Sequence, residues 1–534
     1  MCTSTREKRH TKKTRMSCKK LTLQVVKWII IQIHWLFDCF VDFIFGLYYD
    51  SKVQKVPPVK NELLLESAIS LAKKIRERKV GCEVVVTAFI DRCKEVNSLL
   101  NAIIDDQYDQ AIARAREVDT LLQNKSLSAE ELEKNLPLFG VPFTTKESNE
   151  AKGTLHSMGT LKRKGHRSTE DADVVLNVKK AGAILIGKTN IPELNQWIES
   201  RNKIYGQTNN PYNTTRGVGG SSGGDAAIVA ACGVPFAVGS DIGGSIRIPA
   251  SRNGVFGFKP SEGKTSLVGI GLRKQHYYNS MAEAGPICKK AEDLDTLMSI
   301  FVGPNIEIKF NSEQVDVKQL DIFYQECSND IRASKLSSAA QEALTKAISH
   351  LKHVTGSATK VKIPGTEYSY RLWRYWMTQE DADFTSDLTN NNGKTTAVAE
   401  IKKMLVGNAE VTLAAVLKLI DHDFFPKENG DWAQDVTRKM KKYLLEKLGE
   451  KGVLIYPTFN SARYHCAPFF SPFSFGYWAI FNVLKVPVCQ VPMGIDKNGL
   501  PIGVQVVAAP NNDQLCIAVA KELERAFGGW VPPS

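Results

Sequence analysis

The chain has 534 residues, of which 43% are apolar and 24% charged, with a net charge of +12. That composition belongs to a folded body and excludes a largely disordered chain. The eleven cysteines are odd in number, scattered and free of any CxxC pair, which speaks against a metal cage or a disulfide framework. The basic excess gathers at the start: residues 1–27 hold nine lysines and arginines against one glutamate. It flanks an apolar segment and comes with no zinc-finger or RNA-binding signature, so it suits anionic lipid headgroups better than nucleic acid.

In chain order, Trp28 to Tyr49 comes first, 22 mostly apolar residues. A bilayer core of about 30 Å needs about 20 residues, and aromatic residues at both ends suit the two interfaces. The stretch is too long for a signal-peptide core and lacks a small-residue cleavage site, so it is expected to stay attached. Gln24, Lys27, His34, Asp38 and Asp42 fall on one helical stripe. A carboxylate at mid-bilayer costs about 2.5–3.5 kcal/mol, so the segment either spans, lies in the interface or pairs with another helix. If it spans, the basic flank places the N-terminus in the cytoplasm and the remainder in a lumen, where the sequons at Asn124 and Asn213 meet glycosylation machinery.

From residue 60 to 534 one catalytic domain is expected, because no long linker, heptad or repeat interrupts it. Helical periodicity covers 61–80, 111–122 and 513–527, and a helix opens at Asp225 and runs to Cys232. Short apolar strands read at 183–187, 235–240, 453–456, 486–493 and 502–508. Alternation of this kind predicts an α/β sheet covered by helices on both faces. Residues 411–425 form a greasy helix, suited either to a core or to a membrane surface.

The chemistry sits in three stretches without histidine. Lys146 ends Gly140-Val141-Pro142-Phe143-Thr144-Thr145-Lys146, and Gly219-Gly220-Ser221-Ser222-Gly223-Gly224-Asp225 and Asp241-Ile242-Gly243-Gly244-Ser245-Ile246-Arg247 follow. A serine hydroxyl needs a base to attack at neutral pH. A lysine serves only when neutral, which asks its pKa to fall from about 10.4 to about 7–8 by burial. Ser222 formally matches G-x-S-x-G, but the preceding Asn210-Pro211-Tyr212-Asn213 is loop chemistry, whereas that elbow follows a buried strand. No Gly-Lys-Ser/Thr follows to make a phosphate loop. The first tract therefore reads as a tight turn feeding a helix N-terminus. In the second, the N–H groups of Ile242, Gly243, Gly244 and Ser245 can converge on one oxygen as an oxyanion hole, with Asp241 and Arg247 as a structural ion pair holding the turn.

These motifs resemble the amidase signature family, serine hydrolases with a Ser-Ser-Lys triad, over residues from about 60 to the C-terminus. Within it, Asn202 to Tyr212 and Ala526 to Val531 are similar to the fatty-acid amide hydrolase subgroup, particularly its form 2. The resemblance implies a large twisted mixed sheet inside helices, Ser245 as nucleophile, Lys146 as base and Ser221 as relay behind a cis peptide. It also implies Asn195 beside the acyl site, and Glu147 where many relatives have aspartate. It implies cleavage of primary fatty amides and N-acylethanolamines through an acyl-enzyme, with no metal or organic cofactor. The partners expected are a lipid amide and membrane lipid at an endomembrane, no nucleic acid, and a homodimer is allowed. The rivals are an amidotransferase subunit of the same family working on aminoacyl-tRNA, which residues 21–50 weigh against, another small-molecule amidase, and a non-enzymatic membrane protein on a decayed amidase scaffold, which the three filled triad positions weigh against.

Overall fold

The structure, a computed structural model, describes residues 4–124, 128–275, 279–303 and 310–533, with side chains from residue 25 onward. Most of the basic flank, Gln24 of the polar stripe and residues 125–127 of the first sequon region thus lie outside the described side chains. In the second sequon the Asn213 Oδ1 accepts from the Thr215 hydroxyl at 2.6 Å.

An 11-stranded mixed sheet forms the centre. Its strands are β1 (Ile103–Asp106), β2 (Pro142–Lys146), β3 (Ile184–Thr189), β4 (Phe236–Asp241), β5 (Phe256–Lys259), β6 (Glu283–Cys288), β7 (Asp321–Tyr324), β8 (Thr359–Lys360), β9 (Gly452–Pro457), β10 (Val488–Ile495) and β11 (Pro501–Ala508). In space they run β1-β3-β2-β4-β6-β5-β10-β11-β9-β7-β8. Every residue of β2, β4, β6 and β9 is buried, so these strands are covered on both faces.

The expected elements appear with shifted ends. Helix 513–527 and strand 502–508 stand almost as read. The 61–80 helix does not: a 3₁₀ turn at Glu62–Leu65 precedes a helix at Ala68–Arg76. Ser67 interrupts the periodicity by capping the second piece, accepting from the Ser70 N–H at 3.1 Å. The Asp293 carboxylate, far away in sequence, takes the Ala68 and Ile69 N–H groups at 3.0 Å each.

The site is set by two neighbouring parallel strands. β2 pairs β4 with Thr145 opposite Val238, so both strands deliver their C-terminal ends, Lys146 and Asp241, to the same sheet edge. Open α/β sheets place their sites at such edges.

The N-terminal apolar segment is part of one long helix, α1 (Ser4–Tyr49). Its two aspartates, Asp38 and Asp42, find their partner on the globular body. Arg463 donates to Asp38 Oδ1 at 2.8 Å and to Asp42 Oδ1 at 2.9 Å. Val41 is buried against Tyr464 and Ala467, and Tyr49 stacks on Tyr464 with ring centroids 5.8 Å apart. Trp28, Phe40, Phe43 and Leu47 remain exposed.

Candidate active site

Lys146, the last residue of β2, is only 1% exposed. Its Nζ lies 2.6 Å from the Ser221 Oγ, 3.0 Å from the Ser240 Oγ and 3.3 Å from the Ser240 carbonyl. No carboxylate is among these partners. Burial pushes the amine down to about 7, while the charges of Asp225 and Asp241 push back. A buried ammonium without a contacting anion is costly, and the neutral amine is the form that can take a proton. Asp225 is itself buried; its Oδ1 accepts from Thr189 at 2.6 Å and its Oδ2 has no hydrogen-bond partner among the described residues. Thr189 sits opposite Lys146 in the β2–β3 register, so this carboxyl stands behind the lysine.

The two serine turns meet. The Gly220–Ser221 peptide is cis, and the Ser222 N–H donates to the Ser245 carbonyl at 3.0 Å. Asp241 organises the second turn. Its Oδ1 accepts from the Gly244 N–H at 2.7 Å, and its Oδ2 accepts from the Ile246 N–H at 3.1 Å. Arg247 clamps it with Nε at 3.0 Å and Nη2 at 3.1 Å. Burial alone would raise the Asp241 carboxyl, but Arg247 and Asn482 hold it well below the usual range. This is the structural ion pair expected from the sequence, and both side chains are fully buried.

One expectation needs correction. The Gly244 N–H is not available to an oxyanion, because the Asp241 carboxylate already takes it. Gly244 serves the turn by its conformation instead: its φ of +110° and a Cβ position 2.6 Å from Trp478 exclude other residues. The N–H groups of Ile242, Gly243 and Ser245 make no hydrogen bond among the described residues. Gly243 is required by close approach, since a Cβ there would lie 2.8 Å from the Trp373 Nε1. That indole donates to the Ile242 carbonyl at 3.0 Å.

A cavity of about 800 Å³ opens over this turn. Ser245, Ile242, Gly243 and Asn195 line its inner end, and Trp197, Tyr370, Trp373, Phe469 and Phe473 are among its walls. Lys146 and Ser221 lie behind that lining. Asn195 adopts a left-handed φ of 60° and leaves a buried Oδ1 without a hydrogen-bond partner among the described residues. Ser222, the alternative nucleophile, is fully buried and held by the backbone of Ser240 at 3.4 and 3.5 Å, away from the cavity. Glu147 is structural: its carboxylate receives the N–H groups of Ser157 and Met158. Among the described residues no group of acids, histidines and cysteines could hold a metal.

Sequence reasoning missed Ser240, Asp225 as a charge behind Lys146, and Trp373. In sequence Asp225 reads only as a helix start, and nothing in the run Tyr370-Arg371-Leu372-Trp373 distinguishes a core helix from a cavity wall.

Comparison with known proteins follows the same lines. The amidase family profile matches residues 84–517. Fatty-acid amide hydrolase 2-A of Danio rerio is 39% identical over 493 residues, covering 90% of this chain and 92% of that protein. Fatty-acid amide hydrolase 2 of Homo sapiens is 38% identical over 492 residues, covering 89% and 92%. A glutamyl-tRNA(Gln) amidotransferase chain of Fusobacterium nucleatum is 26% identical over 505 residues, covering 88% and 98%. A solved fatty acid amide hydrolase superposes with a TM-score of 0.70 at 20% identity over 89% of this chain and 86% of that one, a likeness of fold alone.

Proposed function

This chain belongs to the amidase signature family and is an amide-hydrolysing enzyme, and from that premise we propose that it cleaves fatty-acid amides with a Ser-Ser-Lys triad. The observation that carries this reading is the buried Lys146 amine, 2.6 Å from the Ser221 hydroxyl, behind an aromatic cavity whose inner end presents Ser245. The Ser245 Oγ attacks the amide carbonyl. Its proton passes to the Ser221 oxygen as the Ser221 proton passes to the neutral Lys146 nitrogen. The N–H groups of Ile242, Gly243 and Ser245 stabilise the oxyanion, a donor of this kind being worth about 2.7–4 kcal/mol. As the C–N bond breaks, Lys146 returns the proton through the same relay to the leaving nitrogen. Water then hydrolyses the acyl-enzyme, releasing the fatty acid. Primary amides and N-acylethanolamines fit the wide apolar walls.

The helix α1 supports a membrane location, with an 18-residue window inside Val25–Lys52 at a mean hydropathy of 1.6. Residues 28–49 anchor the catalytic body, residues 60–534, to an endomembrane. Pairing of Asp38 and Asp42 with Arg463 offsets the cost of placing these acids in an apolar helix. A second contact is the helix Leu413–Phe424, which buries Ala414, Ala415, Val416 and Leu419 and exposes Phe424 at 62%. Leu417 and Phe425 stand at the cavity wall beside it, so lipid enters from this side. Leu405 and Val406, at the end of the neighbouring helix, are exposed too.

Labelling with a fluorophosphonate tests the nucleophile. Loss of labelling in Ser245→Ala with retention in Ser222→Ala is expected, and the reverse pattern refutes the assignment. The amidotransferase reading predicts a second protein that copurifies, with no hydrolysis of oleamide. Serine at Phe424, Leu405 and Val406 together should lower liposome binding while a short aryl amide is still cleaved.

A further inference from the structure

The cavity wall carries more positive charge than its own acids answer. Arg332, Arg371, Arg374, Lys418 and Lys427 line it, against Asp421 and Glu428. The three arginines are accounted for. Arg332 pairs with Asp330 at 2.8 Å, Arg371 with Glu428 at 2.7 Å, and Arg374 with Asp421 at 2.9 Å. Lys418 and Lys427 have neither a hydrogen bond nor an ion pair among the described residues. Lys427 is exposed at the mouth, whereas Lys418 is half-buried in the wall.

The place of Lys418 decides what it can meet. Its Nζ lies 5.3 Å from the centroid of the Trp373 ring. That same indole donates to the Ile242 carbonyl and abuts Gly243. The ammonium therefore stands one aromatic ring away from the turn that receives the scissile carbonyl. The far end of a long acyl chain lies many carbons from that carbonyl, while substituents on the amide nitrogen lie within a few bonds of it. Burial pushes the Lys418 amine down, and Asp421, already bonded to Arg374, only partly opposes this. A desolvated cation that meets an aromatic ring but no hydrogen-bonded carboxylate among the described residues gains most from an anion brought by the ligand.

We propose that Lys418 is a recognition site for a carboxylate on the leaving amine, so that the enzyme prefers N-acyl amino acids to neutral fatty amides. This rests on the fatty-amide reading above and narrows its substrate class. The chemistry is unchanged: the C–N bond breaks, the amino acid nitrogen takes the proton from the relay, and its carboxylate leaves intact. A neutral headgroup leaves the ammonium unpaired, and that penalty supplies discrimination.

The test compares N-oleoylglycine with oleoyl ethanolamide, which share an acyl chain, on the full-length, detergent-solubilised protein. The wild type should favour the glycine conjugate in kcat/KM. Lys418→Met should lower the ratio of the two by about tenfold, chiefly through KM, while Lys418→Arg keeps it within about threefold. An unmoved ratio in Lys418→Met, or a wild type that prefers the ethanolamide, overturns the proposal. So does a collapse of the ratio in Lys427→Met alone, which would place recognition at the mouth. A salt titration of the wild type makes the result independent of folding: KM for N-oleoylglycine should rise with sodium chloride while KM for the ethanolamide stays level, and equal responses overturn the proposal. If both oleoyl amides are cleaved without these differences, only the Lys418 inference fails. If neither is cleaved while a short aryl amide is, the fatty-amide reading fails with it.

Discussion

Two lysines flank the Ser245 turn, and the protein desolvates both with opposite consequences. Lys146 is sealed behind the turn, with Ser221 and Ser240 supplying all its oxygens. Lys418 faces the cavity with an indole and no hydrogen-bonded oxygen among the described residues. In the first region two serines meet the Lys146 nitrogen, so burial shifts a pKa and favours the neutral amine that the proposed relay needs. In the second the pairing is left incomplete, so the missing partner is sought in the ligand. Desolvation alone therefore names neither role; the atoms within hydrogen-bond reach decide between a proton acceptor and a binding charge.

The inner region should fail first and most severely. Ser245→Ala is expected to lower kcat by about 10⁴- to 10⁶-fold, and Lys146→Met by about 10²- to 10⁴-fold, each read in single-turnover hydrolysis of an aryl amide. A Lys146→Met enzyme with near-normal kcat would merge the two lysines into one class and end the comparison.

Stability should break next. Asp241→Asn leaves the buried Arg247 without its counter-charge and is expected to lower unfolding free energy by about 3–5 kcal/mol in urea denaturation. Because the folded carboxyl of Asp241 is held below its unfolded value, the stability it contributes is present above pH 3.8 and is lost as pH falls further. No comparable loss is expected from Lys418→Met.

The pH profile sharpens the contrast. In the proposed relay Lys146 acts as a neutral amine, so kcat/KM should rise with pH through about 7 and then level off. Burial raises the Asp225 carboxyl to about 7 against the pull of Thr189 and Lys146, so the two groups titrate together; removing the charge that favours the ammonium, Asp225→Asn should move that limb to lower pH. A limb that stays in place would remove Asp225 from the lysine's electrostatics.

The smallest expected effect lies at the cavity wall. Phe473→Ala should raise KM for an oleoyl amide by about tenfold, and that for a short aryl amide far less. Equal changes in both would place Phe473 at the reacting end of the cavity instead.

Much of the inner region was legible in sequence because its pieces are local. Glycines and serines at fixed spacing make the turns, and the short apolar run Val141-Pro142-Phe143 leads into the strand that buries Lys146. The N-terminal helix was legible for the same reason, but the role of its acids was not. Asp38 and Asp42 read as a membrane problem until Arg463, more than 400 residues on, took both. Gly244 looked like an oxyanion donor because sequence shows which N–H groups are consecutive and not which are already engaged.

The amino-acid order by itself determined the family and the α/β class, and it pointed to Lys146, Ser221 and Ser245 for the proposed relay, since each reading depends on short-range chemistry: turn glycines, strand hydrophobicity and a lysine closing a buried strand. Only the tertiary structure decided which groups surround them. The placement of Ser240 beside Lys146, Trp373 on Gly243 and Lys418 beyond that ring comes from packing segments tens to hundreds of residues apart. That packing is fixed by the whole core rather than by any one stretch of chain.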